Sequence, residues 1–302
     1  MNSLKPKIVR IFRQIPQRIP YWIKPLLKPF SGFYPWIYKS LYSSIESEIL
    51  VKTPYNFYMY INYNNWLERE IANGLYEKEY LEYFYSILGE DDIIIDIGAN
   101  IGIFSILASK KVKSGLIFSF EPVGINYKRM LRNIEVNSIQ NIKTFNLGLS
   151  NQNETLDINV PKQDPGESTL SPKTCTKLFL KNDQKISIEK AKFILFDQFF
   201  EEHMLKKVDI IKIDVEGAEY KVLKGMKNTL ISHNPIVFIE LIPSLIENVE
   251  GNIDKLIDLL IKYDFKVIYS LELKEKMEID YKNKDYLLKK IGTGGNFVLS
   301  KT

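Results

Sequence analysis

The chain has 302 residues, of which 45% are hydrophobic, so it can bury one sizeable core with a small appendage. Its single cysteine, Cys175, excludes an internal disulfide framework and is typical of a reducing compartment, so we expect a cytoplasmic protein. The formal net charge of +4 is unevenly spread, because the first 45 residues contain eight basic residues and no acid, which leaves −4 for the remainder. This mildly acidic remainder argues against nucleic acid as a partner.

Residues 1–45 form a basic N-terminal arm that is rich in proline and aromatic residues. Apolar residues recur at helical spacing from Ile8 to Ile15, and prolines between Pro16 and Pro35 then interrupt the pattern. Two interpretations are open. Residues 1–40 contact an anionic membrane surface from its cytoplasmic side, or the arm packs on the body through its aromatic side chains. No apolar run is long enough to span a bilayer.

A lead-in follows over residues 46–90, and we predict a strand at 57–61 and an amphipathic helix at 76–88. The domain that we expect to carry the function covers residues 91–302. Within it, strands and helices alternate, except that residues 151–190 are polar and without a clear period. We predict an irregular cover or lid for that stretch, with short antiparallel strands or a flexible loop.

The most informative motif runs from Ile93 to Gly102 and reads Ile-Ile-Ile-Asp-Ile-Gly-Ala-Asn-Ile-Gly. An isoleucine run that ends in an acid, then a glycine turn and helical apolar spacing, predicts a buried strand, a tight turn and a helix. The pattern lacks the middle glycine of the dinucleotide fingerprint. It resembles motif I of class I S-adenosylmethionine (SAM) methyltransferases. The residues expected to bind SAM are Asp96, Gly98, Asn100 and Gly102. The alternative is a turn that only packs the strand against the helix.

The next predicted strand, residues 115–122, ends in Glu121, roughly 20 residues beyond the glycine turn. A carboxylate at that place accepts hydrogen bonds from both ribose hydroxyls of a bound nucleoside, so Glu121 joins the expected cofactor site. Gly148 follows the strand predicted for 142–147 and is included in the same site.

A second group of polar residues lies in the strand, turn and helix start predicted for residues 208–219. A lysine inside a buried strand is costly unless it is paired, and Lys212 shares a strand face with Asp214. The candidate catalytic residues are Lys212, Asp214, Glu216 and Glu219. The acids could act as a general base, orient an acceptor, or hold a divalent cation through oxygen ligands. A structural ion pair with two acids at a helix start is the alternative.

These motifs together resemble the FkbM-type SAM-dependent methyltransferases, over roughly residues 76–300. Tyr76-Glu77 is similar to the acidic pair before the family's core. Residues 96–102, 120–122, 195–197, 212–219 and 296–298 are similar to its successive motifs. The resemblance implies an α/β fold with a seven-stranded, Rossmann-like doubly wound sheet and an antiparallel last strand. It also implies SAM as cofactor, Glu77 in the cofactor site, and usually O-methylation of a sugar, glycan or secondary metabolite.

Two other functions remain open from the sequence. The first is a nucleotide-binding oxidoreductase, against which the missing middle glycine argues. The second is an inactive methyltransferase fold that only binds, against which the acids at both strand ends argue. The two histidines, His203 and His233, lie outside the motifs and are expected at the surface or in loops.

Overall fold

A twisted α/β sheet organises the computed structural model, which describes residues 48–62, 65–162, 164–174, 185–249 and 252–302. The basic arm at residues 1–45 lies outside the described residues, and the two interpretations of it stay predictions. None of the helices within the described ranges is both long and apolar enough to cross a bilayer.

The central sheet has eight strands among the described residues, in the order β5-β4-β3-β9-β10-β13-β11-β12. Their bounds are β3 Ile93–Ile97, β4 Leu116–Phe120, β5 Ile142–Phe145, β9 Ile210–Ile213, β10 Ile236–Leu241, β11 Val267–Ser270, β12 Glu275–Glu278 and β13 Gly295–Ser300. Strands β5, β4, β3, β9 and β10 are parallel neighbours, and β13 lies antiparallel between β10 and β11. The predicted doubly wound sheet with an antiparallel last strand is therefore confirmed. The strand number that the resemblance implied, seven, is wrong, because the antiparallel hairpin β11–β12 adds an edge strand.

Helices cover both faces of this sheet, which is why its central strands are apolar on both sides. The helices are α1 Trp66–Asn73, α2 Lys78–Ile87, α3 Ile103–Ser109, α4 Gly124–Val136, α5 Phe196–Glu202, α6 Glu219–Gly225, α7 Lys227–His233, α8 Pro243–Val249, α9 Ile253–Lys262 and α10 Lys284–Ile291. Successive side chains of β3 point to opposite faces. Ile94 packs in a core with Phe84 of α2 and Phe104 of α3. Ile95 packs in another core with Leu223 of α6.

The lead-in forms a hairpin, β1 Ile49–Lys52 and β2 Tyr58–Ile61, that packs on α4. The backbone N–H of Tyr60 donates to Asn133 Oδ1 at 2.8 Å, and Arg129 of α4 makes a bidentate ion pair with Glu68 of α1. Helix α1 was not predicted. Its local signals are Asn65, whose side chain caps the first turn, and Gly74, which ends the helix in a left-handed conformation.

The stretch predicted as an irregular cover contains two long strands, β7 Glu154–Pro161 and β8 Ile186–Ile194. They pair antiparallel along their length, and β6 Gly148–Leu149 adds to β8 as a third strand. A 3₁₀ turn, Pro165–Glu167, follows β7 and packs on the glycine turn after β3, where a Cβ on Gly166 would lie 2.7 Å from Asn100 Nδ2. This small sheet and its turn therefore lie over the carboxyl edge of the central sheet.

Candidate functional site

A cavity of about 370 Å³ opens at the carboxyl ends of the parallel strands β3, β4, β9 and β10. This is the edge at which open α/β sheets bind ligands, because strand order reverses between β3 and β9. Helix α1, the start of α2 and the 3₁₀ turn complete its walls. The acids that line it are Glu70, Glu77, Glu121, Glu167, Asp214, Glu216 and Glu240. No lysine, arginine or histidine stands among the described lining residues, so the cavity favours a positively charged ligand.

The conformation of the glycine turn after β3 is fixed by contacts with neighbouring backbone, and not only by the need to leave room for a ligand. Gly98 has φ +77°, and its N–H donates to the carbonyl of Phe120 at 3.0 Å. A Cβ on Gly98 would lie 1.8 Å from the backbone oxygen of Asp214. The missing side chain therefore lets the turn after β3 touch the turn after β9. Such a contact is a packing role for the glycine turn, which was the alternative to a role in binding. Gly98 and Asn100 also line the cavity, so the turn is placed for both roles.

Glu121 lies in the cavity at the end of β4, with its carboxylate fixed by backbone donors. Its Oε2 accepts from the N–H of Asn100 at 2.8 Å, and its Oε1 accepts from the N–H of Val123 at 2.9 Å. Each oxygen keeps a lone pair for a further donor. Burial raises the pKa of Glu121 to about 7, against the pull of those two backbone hydrogen bonds. The carboxylate of Glu121 therefore has a fixed orientation at the wall of the cavity.

Lys212 is buried beneath the cavity between two acids. Its Nζ lies 3.1 Å from Asp214 Oδ2 and 3.8 Å from Asp96 Oδ1, and it donates to the carbonyl of Gly98 at 3.2 Å. Burial alone would lower the pKa of Lys212, but Asp214 and Asp96 raise it above its ordinary value. Lys212 is therefore held as a cation that joins β3, β9 and the glycine turn. Asp96 also accepts from Ser105 Oγ at 2.5 Å.

Three further acids face one another across the cavity. Carboxylate oxygens of Asp214, Glu216 and Glu240 all lie within 4.8 Å of one another. Burial first, and then the charge of Asp214, raises the pKa of Glu240 to about 9 and that of Glu77 to about 7. The same two causes raise the pKa of Glu216. These acids have little contact with solvent and few positive charges nearby. A cationic ligand would therefore stabilise their ionised forms.

The predicted site residues divide into those that line the cavity and those that support it. Glu77, Gly98, Asn100, Glu121, Gly148, Asp214 and Glu216 line it. Asp96, Gly102, Lys212 and Glu219 are not among the lining residues. Glu219 is 2% exposed, and its Oε1 accepts from the N–H of Gly217 at 3.1 Å, which fixes the turn that carries Glu216. The two histidines lie at helix ends, where the ring of His203 stacks on Phe199 and the ring of His233 contacts Phe200 at a tilt.

Sequence reasoning left out three acids that line the cavity. Glu240 follows the apolar run of residues 236–239, so the sequence does carry a signal for an acid near the end of a strand. Glu70 comes from the unpredicted helix α1, and Glu167 from the 3₁₀ turn within the predicted cover. Their positions depend on contacts between distant segments, for which the sequence carries no local signal.

Comparisons by sequence match this chain to methyltransferases. A family model described as the Methyltransferase FkbM domain matches residues 96–267. Methyltransferase sdnD of Sordaria araneosa is 29% identical over 178 residues, which cover 51% of this chain and 69% of the relative. Methyltransferase 1 of Beauveria bassiana is 29% identical over 183 residues, which cover 57% and 72%. The hexuronic acid methyltransferase AglP of Haloferax volcanii is 27% identical over 175 residues, which cover 57% and 64%. Because the family model spans more than half of its length, this chain belongs to the FkbM methyltransferase family.

Proposed function

We propose that the protein transfers the methyl group of SAM to a hydroxyl oxygen of a sugar, glycan or other secondary metabolite. The observation that carries the proposal is the position of Glu121, whose carboxylate is fixed by two backbone donors. Glu121 lines the same cavity as the acids in the turn after β9 and near the end of β10. Membership of a methyltransferase family implies SAM as the methyl donor. The relative named as a hexuronic acid methyltransferase supports the sugar class. The comparisons give the oxidoreductase and binding-only interpretations no support.

On the donor side, the residues fit SAM by shape and by charge. SAM carries a sulfonium and an ammonium against one carboxylate, so its net charge is positive, and the described lining of the cavity carries acids only. Glu121 would accept the ribose hydroxyls, while Gly98, Asn100 and Gly148 form the wall beside it and Glu77 faces the cavity from the start of α2. Asp96 and Gly102 would shape the turn from behind.

On the acceptor side, Asp214 and Glu216 after β9 and Glu240 near the end of β10 would hold the hydroxyl in line with the donor. SAM supplies an electrophilic methyl carbon, and the attacking oxygen must lose its proton as it reacts. Asp214 and Glu216 lie where a hydroxyl could donate to them, and a carboxylate of this group would take up the proton. Lys212 and Glu219 would act by positioning, since Lys212 holds Asp214 and Glu219 holds the turn of Glu216. Correct positioning accounts for much of the rate increase in such transfers.

Two measurements test this function. Titration calorimetry should show one SAM bound per chain and no comparable binding of NAD. With a panel of hydroxylated sugars, formation of S-adenosylhomocysteine (SAH) should depend on acceptor, and Glu216→Gln should lower kcat by orders of magnitude while SAM affinity changes little. If NAD binds and SAM does not, the proposal is wrong.

We also propose that the basic arm at residues 1–40 brings the enzyme to an anionic membrane surface on the cytoplasmic side, where a lipid-linked glycan acceptor would be found. Its eight basic residues support this, since each contributes about 1 kcal/mol near such a surface. Removal of residues 1–40 should abolish salt-sensitive binding to phosphatidylserine vesicles and leave SAM binding intact. If the full-length protein does not bind the vesicles, the proposal is wrong.

A further inference from the structure

The strongest unexplained feature of the cavity is a group of three carboxylates, two in the turn after β9 and one near the end of β10. Asp214, Glu216 and Glu240 each offer one oxygen, and these oxygens lie within 4.8 Å of one another. Three ionised carboxylates this close repel one another, and either a bound proton or a cation between them would relieve that repulsion. Among the described residues, Lys212 forms an ion pair with Asp214 alone of the three.

A second observation comes from Glu77, which belongs to a different element, the start of α2. Its Oε1 accepts from Asn296 Nδ2 at 3.3 Å, but its Oε2 is shielded from solvent and has no hydrogen-bond partner among the described residues. Glu77 lines the same cavity, and of the charged groups around it Asp214 acts on it most strongly. A buried carboxylate oxygen without a partner is costly, so a ligand that accepts lone pairs would stabilise it.

We propose that Asp214, Glu216 and Glu240 hold a divalent cation, with the unpartnered oxygen of Glu77 facing it. Hard cations such as Mg²⁺, Mn²⁺ and Ca²⁺ take oxygen ligands at about 2.0–2.6 Å, so oxygens on opposite sides of one cation are about 4–5 Å apart. The oxygens of the three carboxylates are no more than 4.8 Å apart, so a single cation could contact all three. Waters and the acceptor hydroxyl would fill the remaining positions of a six-coordinate cation.

This inference deepens the proposed methyl transfer and rests on it for its catalytic meaning. A hydroxyl bound to a divalent cation is more acidic and is held in one orientation, which are the two needs of an attacking oxygen. Its proton would leave to a carboxylate or to solvent as the oxygen–methyl bond forms and the carbon–sulfur bond of SAM breaks. The cation would thus select acceptors that offer an oxygen ligand beside the reacting hydroxyl.

The test uses the full chain, treated with a chelator and then titrated with Mn²⁺ alone. Calorimetry and the electron paramagnetic resonance signal of free Mn²⁺ should give one bound ion per chain, and Mg²⁺ or Ca²⁺ should displace it. Glu216→Gln and Glu240→Gln keep side-chain shape and should each weaken Mn²⁺ binding at least tenfold. Glu70→Gln, in the same cavity but outside the group, is the matched control and should leave the affinity unchanged.

The outcomes separate this inference from the proposed function. No stoichiometric Mn²⁺ binding by the wild-type chain overturns the inference, whether or not the variants fold. So does binding that both substitutions leave unchanged, or that Glu70→Gln weakens equally. If SAM binds to the same chelator-treated sample while Mn²⁺ does not, the cation site is wrong and the proposed methyl transfer is unaffected. If Mn²⁺ binds and SAM does not, the proposed methyl transfer fails instead.

Discussion

Substitution of Glu121 by glutamine tests the cofactor site at its best-defined contact. The carboxylate accepts one backbone N–H on each oxygen, from Asn100 at 2.8 Å and from Val123 at 2.9 Å. Glutamine keeps the shape but offers only one acceptor oxygen, and its amide group would point a donor at a backbone donor. The variant therefore loses the negative charge and at least one of the sites that would receive a ribose hydroxyl.

The expected loss of SAM affinity follows from the type of hydrogen bond removed. A hydrogen bond to a charged acceptor contributes about 1.5–3 kcal/mol, so the Kd for SAM should rise about 10- to 150-fold. The loss should be the same for SAH, because the ribose is common to both ligands. Calorimetric titrations should be run at pH 8, above the pKa of about 7 that burial gives Glu121, so that the wild-type group is ionised.

Glu167→Gln is the matched control, because Glu167 lines the same cavity from the 3₁₀ turn and has no part in the ribose contact. Thermal melting of both variants must accompany the titrations to show that they are folded. A folded Glu121→Gln protein that binds SAM within twofold of the wild type would refute the assignment of Glu121 and, with it, the placement of the ribose at the end of β4.

Three further outcomes follow from the same contacts. Lys212→Met should lower the free energy of unfolding by about 3–5 kcal/mol in urea denaturation, because it leaves the buried Asp96 without its counter-charge; a loss below about 1 kcal/mol would contradict the ion-pair role. Gly98→Ala should cost about 2–5 kcal/mol and lower the melting temperature, since its Cβ would meet the backbone oxygen of Asp214 at a positive φ; wild-type melting would show that the two turns can separate. Finally, burial raises the pKa of Glu121 in the folded chain to about 7, above the ordinary glutamate value of 4.5, so the folded SAM-free chain retains this proton over that range. The stability that Glu121 contributes should therefore be greatest below pH 4.5 and fall by about 3 kcal/mol as pH rises through 7, measured as the difference in unfolding free energy from Glu121→Gln. A difference that does not change with pH would contradict the shifted pKa.

The sheet and its central motif could be predicted because their signals are local. The isoleucine run before Gly98 marks a strand buried on both faces, and the acids that follow β4 and β9 mark the edge where ligands bind. Parallel strands bring their carboxyl ends together whatever the details, so Glu121 and Asp214 could be expected at one cavity.

The rest depended on contacts between segments far apart in sequence. Helix α1 has only eight residues, half of them polar, and its position against the body depends on the pair between its Glu68 and Arg129 of α4, which the sequence could not indicate. The strands β7 and β8 form only because each pairs with the other across a long connection, and their polar outer faces hid the alternation. The packing role of Gly98 could not be predicted either, because the backbone oxygen of Asp214 occupies the place of its side chain, and Asp214 is far from Gly98 in sequence.

The direct contact between the turn after β3 and the turn after β9 limits how such an enzyme can be changed. The N–H of Asp214 donates to the carbonyl of Ile97 at 3.1 Å, and Lys212 donates to the carbonyl of Gly98, so the two turns that we propose to face the donor and the acceptor are joined directly. A mutation in either turn would therefore alter donor affinity and acceptor preference together. New acceptor specificities, whether selected in nature or engineered, are more accessible in α1 and in the 3₁₀ turn after β7, which line the cavity without taking part in the contact between the two turns.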